Sequence, residues 1–126
     1  MSSRRSIQID GLSHLTAIPV ASRVGPLVMS SVIVAFDPGT RNVPATIEQQ
    51  LANIFTHVDA MLTAAGATWD DVVKMNFWLG DAADRPAVEA PWLERFPDQA
   101  SRPARHTQIT QGAAVATADF TAYVED

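Results

Sequence analysis

Arg105 is the residue whose surroundings point most directly to chemistry. It follows the proline-stiffened segment Ser101-Arg102-Pro103-Ala104 and opens an alternating run over residues 106–110 that is typical of a strand. A guanidinium held on rigid backbone can bind a carboxylate through two parallel, charge-assisted hydrogen bonds. The competing interpretation is a surface ion pair, which contributes little to stability. The segment as a whole favours an anion anchor.

Three further side chains are candidates for acid–base work. His106 neighbours Arg105, but adjacent strand residues point to opposite faces, so the two share a pocket only if the strand bulges. His14 lies in a loop, where functional residues are common, whereas His57 is interpreted as a solvated or interface residue of a helix. Asp119 is a lone carboxylate in a strand of small and apolar residues. It either faces solvent or is a partly buried acid that activates water, and both interpretations stay open.

Other chemistries find no support in the sequence. There is no cysteine, which excludes a thiolate nucleophile and a cysteine-ligated zinc site. The three histidines form no HxxxH or HExxH pair, so no metal is expected. Ser30-Ser31 lacks the Gly-x-Ser-x-Gly elbow of a hydrolase nucleophile, and these serines are interpreted as small residues of a packed strand.

Composition is that of a single globular domain. The chain has 126 residues, 47% of them hydrophobic, and a net charge of -5. We expect one domain over residues 1–126, with residues 1–15 as an extended arm or loop. The acidic balance argues against nucleic acid as a partner, and the longest apolar stretch, residues 27–36, is too short to span a bilayer. A cytoplasmic protein without a membrane partner is the default expectation.

Hydrophobic periodicity predicts the elements that position these side chains. Residues 17–23 and 27–35 form a hairpin, and a helix runs from an N-cap at Thr46 to a C-terminal glycine at Gly66. A strand follows over residues 72–79. A second helix is expected over residues 84–96, with a kink or restart at Pro91.

Two final strands, over residues 104–110 and 114–124, complete the order ββαβαββ. In the last strand alternate residues face opposite sides, with Asp119 on the polar side. The predicted fold is therefore α+β: one mixed sheet with two helices packed on one face. The other face stays exposed unless another copy covers it.

Several sequence blocks, spread from residue 18 to residue 124, together carry a resemblance to a known family. They are Gly25-Pro26-Leu27-Val28-Met29-Ser30-Ser31, Asp37-Pro38-Gly39-Thr40, the helix containing Gln50 and Ala64-Ala65-Gly66-Ala67 with Trp69-Asp70-Asp71-Val72-Val73-Lys74 after it, and Arg102-Pro103-Ala104-Arg105. The chain resembles the Rid superfamily, the YjgF-like deaminases of reactive enamine and imine intermediates. The last two blocks, in this order, are the specific ones.

The resemblance implies a chorismate-mutase-like fold and a homotrimer with three clefts between subunits. It also implies that the arginine matching Arg105 holds a substrate carboxylate while hydrolysis of an imine or enamine releases ammonia. No metal or organic cofactor is implied. The partners expected are a small-molecule carboxylate substrate and further copies of the chain.

Several positions depart from the family pattern. The segment Ile18-Pro19-Val20-Ala21 lacks the tyrosine of the best-known deaminating branch. Ser31 stands where the family has glycine, and Glu89 where it has asparagine. The glutamate associated with the catalytic water falls at Thr117 or Asp119. These departures predict a divergent branch with a specialised substrate, such as the 2-aminomuconate type.

The leading hypothesis is a hydrolytic deaminase, with a non-catalytic carboxylate-binding trimer as the alternative. Asp119 discriminates between them, since a position beside Arg105 favours the enzyme and a solvent position favours the binder. A third hypothesis, ribonuclease, is disfavoured by the net charge of -5. The predicted catalytic residues are Arg105, Asp119 and Thr117, and the predicted substrate-binding residues are Arg105, Ser31, His14, His106 and Glu89.

Overall fold

Strand-forming segments pair into one mixed sheet in the computed structural model, which describes residues 3–12 and 14–125. Within that part of the chain there are seven strands: β1 Arg5–Ile7, β2 Ala21–Val24, β3 Leu27–Ser30, β4 Ile33–Val34, β5 Val72–Leu79, β6 Ala104–Ile109 and β7 Thr117–Tyr123. Their order is β1-β2-β3-β7-β5-β6, with β4 also paired to β7. Strands β5 and β6 are parallel and the remaining pairs are antiparallel. The predicted mixed sheet of an α+β fold is confirmed.

The N-terminal segment contains a strand that periodicity did not predict. Residues 1–15 were expected as arm or loop, and of these, residues 1, 2 and 13 lie outside the described part of the structure. Arg5–Ile7 pairs antiparallel with β2, with Arg5 opposite Arg23. Ile7 and Leu12 are buried in the core. Three residues are too few to show a period of two, so only the pairing reveals the strand.

Two local caps determine where the long helix α1, Ile47–Ala65, begins and ends. The Thr46 hydroxyl accepts a hydrogen bond from the Gln49 N–H at 3.2 Å, as an N-cap residue does. Gly66 ends the helix with a φ of 76°, a left-handed conformation that favours glycine. A Cβ at this position would also lie 3.3 Å from Nη1 of Arg23. Both predicted helix ends are confirmed.

The second helical segment differs from its predicted form. A helix kinked or restarted at Pro91 was expected over residues 84–96. The structure has a 3-10 segment over Ala82–Val88 and then the helix α2, Glu89–Arg95, so the change comes at residues 88–89 and the prediction was wrong in detail. Pro91 falls in the first turn of α2, where its missing N–H would have no intrahelical acceptor. Pro86 lies inside the 3-10 segment instead.

The two faces of the sheet have different surroundings. On the helix side, Ala118, Phe120 and Ala122 of β7 are at most 1% exposed, packed with the apolar face of α1. The opposite side, here called the open face, carries Thr117, Asp119, Thr121 and Tyr123 of the same strand, as alternation predicted. In the described residues, neither α-helix has the length and apolarity that a membrane crossing requires.

The open face has an apolar end and a polar end. At the apolar end, four side chains retain large exposed fractions: Val24 42%, Leu27 42%, Met29 51% and Tyr123 51%. At the polar end lie Asn76, His106 and Asp119, in register across three strands. A single copy of the chain therefore leaves apolar surface of the sheet in water, next to a group of polar side chains.

Candidate functional site

Arg105 lies on edge strand β6 with its side chain on the helix side of the sheet. Its register partner on β5 is Met75, which is fully buried on that side. The guanidinium stacks over Trp92 of α2, with its Cζ 4.9 Å from the ring centroid. Its Nη2 donates to Oε1 of Glu89 at 2.5 Å. Arg105 thus makes a surface ion pair, which was the alternative to a carboxylate anchor in the sequence analysis. The plane of its guanidinium is set by the aromatic ring of Trp92.

The support beneath Arg105 is rigid. Trp92 is 5% exposed and packs edge-on against Phe77 and Phe96, with centroids 6.4 Å and 4.7 Å away. On the approach to the strand, Arg102 donates from Nε to the Phe96 carbonyl at 2.8 Å. The segment Arg102-Pro103-Ala104 is therefore anchored at its start to the residue that follows α2 and, through Arg105, to Trp92 within α2. An aromatic ring on a packed helix holds the guanidinium better than solvent would.

A row of polar side chains crosses the open face. His106 on β6 pairs in register with Asn76 on β5, and Asn76 pairs with Asp119 on β7. The Asn76 Nδ2 donates to Oδ1 of Asp119 at 2.7 Å. Asp119 is half-buried, so it is neither fully solvated nor sealed in the core. The amide leaves the second carboxylate oxygen of Asp119 able to accept another donor, such as a water molecule.

Arg105 and Asp119 lie on opposite faces of the sheet within one copy of the chain. Arg105 shares the face of Met75, whereas Asp119 shares the face of Asn76. Strands β5 and β6 pair without a register shift, so no bulge brings His106 to the side of Arg105. One copy alone therefore does not form a pocket that contains both the arginine and the carboxylate.

The other predicted site residues fall in different places. Ser31 donates from Oγ to the Pro19 carbonyl at 2.8 Å, a contact that ties the hairpin to the preceding loop. Thr117 lies on the open face opposite Trp78. Glu89 is the ion-pair partner of Arg105. His14 lines a small, mainly apolar cavity of about 80 Å³, which neither Arg105 nor Asp119 touches.

The prediction that His57 is a solvated or interface residue was wrong, because the side chain is buried in the core. It is 5% exposed, and its Nε2 lies 2.7 Å from the Phe36 carbonyl oxygen. Because a carbonyl only accepts, this nitrogen carries the proton of the neutral ring. Burial lowers the pKa of His57 below its usual value, and the hydrogen bond to Phe36 opposes that shift. His57 is a core residue with one satisfied donor.

Two residues that sequence reasoning did not single out support the candidate site. Asn76 orients Asp119, and Trp92 underlies Arg105. The alternation of β5 places Asn76 on the polar side, but only the sheet order shows that Asp119 lies next to it. Among the described residues, no cluster of three or more His, Asp or Glu is arranged to hold a metal ion.

Comparison with known proteins gives consistent matches. A family model described as endoribonuclease L-PSP matches residues 16–125. A RutC family protein from Synechocystis is 36% identical over 74 residues, which cover 57% of this chain and 56% of that protein. TdcF of Escherichia coli, named as a reactive intermediate deaminase, is 28% identical over 83 residues, covering 65% of this chain and 64% of that protein.

Structural comparison extends over more of the chain than the sequence matches do. The crystal structure of RidA from the Antarctic bacterium Psychrobacter aligns with a TM-score of 0.84 and 25% identity. It covers 95% of this chain and 99% of that one. In sequence, by contrast, the aligned part is between about half and two thirds of the length of the curated relatives.

Proposed function

Because the chain belongs to the endoribonuclease L-PSP family, the YjgF-like Rid superfamily that its motifs resemble, we propose that it is a hydrolytic deaminase. Its substrate is a small imine or enamine that bears a carboxylate. The observation that carries the proposal is Arg105, stacked on Trp92 with only one of its N–H groups bonded to protein within the described residues. The remaining donors form an edge that can take a carboxylate.

The reaction needs water, a positioned substrate and proton transfer. An enamine first takes a proton at carbon and becomes a protonated imine. Water then adds to the carbon of the C=N bond and gives one proton to the base, which leaves a carbinolamine with one hydroxyl and one amino group. The base returns that proton to nitrogen, the C–N bond breaks with its electron pair going to nitrogen, and ammonia leaves as the hydroxyl loses its proton and the C=O bond forms. The step is redox-neutral.

Asp119 is the proposed base for the attacking water. Its carboxylate already accepts one hydrogen bond from Asn76, which orients it and leaves the other oxygen available. Thr117, two residues earlier on the same face, is the alternative position for the residue that binds the water. In either case the base is on the open face, while the carboxylate anchor is on the helix side.

We propose a homotrimer, in which the open face of one copy meets the edge of the next. The separation of Arg105 and Asp119 within one copy supports this arrangement, because a site that uses both residues must be assembled from two copies. The exposed apolar end of the open face supports it as well. The clefts between subunits then contain Arg105 from one copy and Asp119 from its neighbour.

Two variants test the anchor and the base separately. Arg105→Ala should lose most of the binding of a small carboxylate in calorimetric titration, and Arg105→Lys much of it, because lysine lacks the planar fork. Arg85→Ala, a change at an exposed arginine of the 3-10 segment, is the matched control. Equal affinity in the wild type and Arg105→Ala, with both folded, would refute the assignment.

Turnover is measured as ammonia release from 2-imino acids generated in situ by an amino acid oxidase. Asp119→Asn should lower kcat by about 10²–10⁴-fold while binding of a carboxylate is kept. Unchanged turnover would remove Asp119 from the mechanism and favour Thr117. Binding without turnover in the wild type would favour the alternative function, a non-catalytic carboxylate-binding trimer.

Ribonuclease activity, which the family description names, has weaker support in this chain. The net charge of -5 opposes the neutralisation of phosphates on which RNA binding depends. The surfaces around Arg105 and Asp119 each contain a carboxylate, which repels a phosphate backbone. Hydrolysis of an imine does not require the protein to neutralise a row of phosphates.

A further inference from the structure

The ion pair between Arg105 and Glu89 is held by a single hydrogen bond. Only Nη2 of the guanidinium and only Oε1 of the carboxylate take part. Within residues 3–12 and 14–125, the Arg105 groups Nε and Nη1 and the Glu89 atom Oε2 bond to no other protein atom. The two side chains remain 29% and 51% exposed. Nη2 has a second N–H group, which forms a two-pronged edge with the neighbouring N–H of Nε or Nη1. An unused donor edge and an unused acceptor oxygen therefore lie close together at the surface.

We propose that Glu89 makes this anchor selective for carboxylates that carry a neighbouring N–H group. The inference rests on the proposed function, in which Arg105 binds the substrate carboxylate. The ligand carboxylate takes the free edge of Arg105, and its N–H donates to the free oxygen of Glu89. A protonated 2-imino acid has both groups on adjacent carbon atoms, and so does a 2-amino acid.

The charge of the pair gives the physical reason for this selectivity. A lone arginine binds best the ligand with the most negative charge, because attraction grows with the charge of the anion. Glu89 brings the pair close to neutrality and repels a second negative group on the ligand. In a dipolar ligand, the carboxylate is attracted by Arg105 and the N–H group is attracted by Glu89. A simple carboxylate is attracted by Arg105 but repelled by Glu89. Glu89 thus discriminates by charge pattern rather than by size.

The spacing of the two charges is held by the helix beneath them. Glu89 and Trp92 are three residues apart on α2, so they lie on the same side of that helix. Trp92 sets the plane of the guanidinium, and the first turn of α2 sets the position of the carboxylate. A ligand therefore meets the carboxylate of Glu89 and the guanidinium of Arg105 at a fixed separation. Recognition of two adjacent groups on one ligand requires such a fixed separation.

The test compares two ligands of the same shape. L-Alanine carries an ammonium group where isobutyrate carries a methyl group, and both are titrated calorimetrically against the wild type, Glu89→Gln and the control Glu94→Gln. Glu94 is on the same helix, 75% exposed, and pairs with Arg95 instead. We expect the ratio of alanine to isobutyrate affinity to fall about three- to tenfold in Glu89→Gln, the range of an exposed charge-assisted contact. In Glu94→Gln the ratio should stay within about twofold of the wild-type ratio.

The outcomes separate this inference from the proposed function. If Arg105→Ala abolishes isobutyrate binding but Glu89→Gln leaves the affinity ratio unchanged, the anchor stands and the role of Glu89 is refuted. If the wild type binds neither ligand, the proposed function and this inference both fail. Glu89→Asn, a smaller uncharged replacement, repeats the measurement independently of the glutamine side chain, and circular dichroism verifies that each variant is folded.

Discussion

Replacement of Met29 by glutamate tests the proposed assembly. Met29 lies on the open face in β3, in register with Ser22 on one side and Thr121 on the other. Its side chain points away from the helices and is 51% exposed in a single copy. A charge at this position faces water in a monomer but is buried if a second copy covers the sheet. We therefore expect Met29→Glu to dissociate the trimer without unfolding the chain.

The size of the effect follows from the exposed fraction. Complete burial of a methionine stabilises by about 1.5–3 kcal/mol, so covering the remaining half contributes about 1 kcal/mol in each copy. An unpaired carboxylate at the same place adds an effective cost of several kcal/mol per copy. Three copies carry the change, and the total is comparable to the free energy of a micromolar association, about 8 kcal/mol. In the monomer, a substitution at a half-exposed position costs far less.

Light scattering and sedimentation at micromolar concentration measure the outcome. The control is Ala52→Glu, which adds the same charge at an exposed residue of α1, in the helix layer and away from Arg105. We expect a trimer for the wild type and for Ala52→Glu, and a folded monomer for Met29→Glu. A stable wild-type monomer would refute the assembly, and a Met29→Glu trimer would show that the open face is not the interface.

Two further predictions concern stability. Arg23 donates from Nη1 to the Ala65 carbonyl at 2.7 Å, at the C-terminal end of α1, and Arg5 donates from Nη2 to the same oxygen at 3.2 Å. Because Arg5 keeps this oxygen bonded, Arg23→Met should lower the free energy of unfolding by only about 0.5–1 kcal/mol in urea titration. The exposed Arg4→Met is its control, and an equal loss there would contradict the capping role. Burial lowers the pKa of His57 in the folded state, so as pH falls the unfolded state binds the extra proton before the folded state does. The free energy of unfolding should therefore fall as pH drops below about 6.5, by at most about 1.4 kcal/mol per pH unit. His57→Gln should flatten this part of the stability curve relative to His106→Gln, and an unchanged slope would exclude His57 as its source.

Short-range signals predicted much of the fold. Thr46 and Gly66 terminate α1 through contacts with residues at most four positions away, so their roles are visible in the sequence. Alternation in β7 assigned each residue to its face for the same reason. Strand β1 was missed because a three-residue strand carries no periodicity. The change of helix type before Pro91 was missed because two prolines and the packing of Trp92 act together there.

The same distinction between local and long-range contacts applies to the candidate site. Two features were predictable from local sequence: Arg105 follows a stiffened segment, and His106 points away from it, because both depend on neighbouring residues and on the period of a strand. Two contacts became visible only in the folded chain: Glu89, sixteen residues away, meets the guanidinium, and Asn76, 43 residues away, orients Asp119. The contact between Asn76 and Asp119 depends on the placement of β5 beside β7, and the contact between Glu89 and Arg105 depends on the packing of α2 beside β6. The sheet order is set by burial of the whole apolar face against the helices, a sum over distant contacts that no local pattern contains.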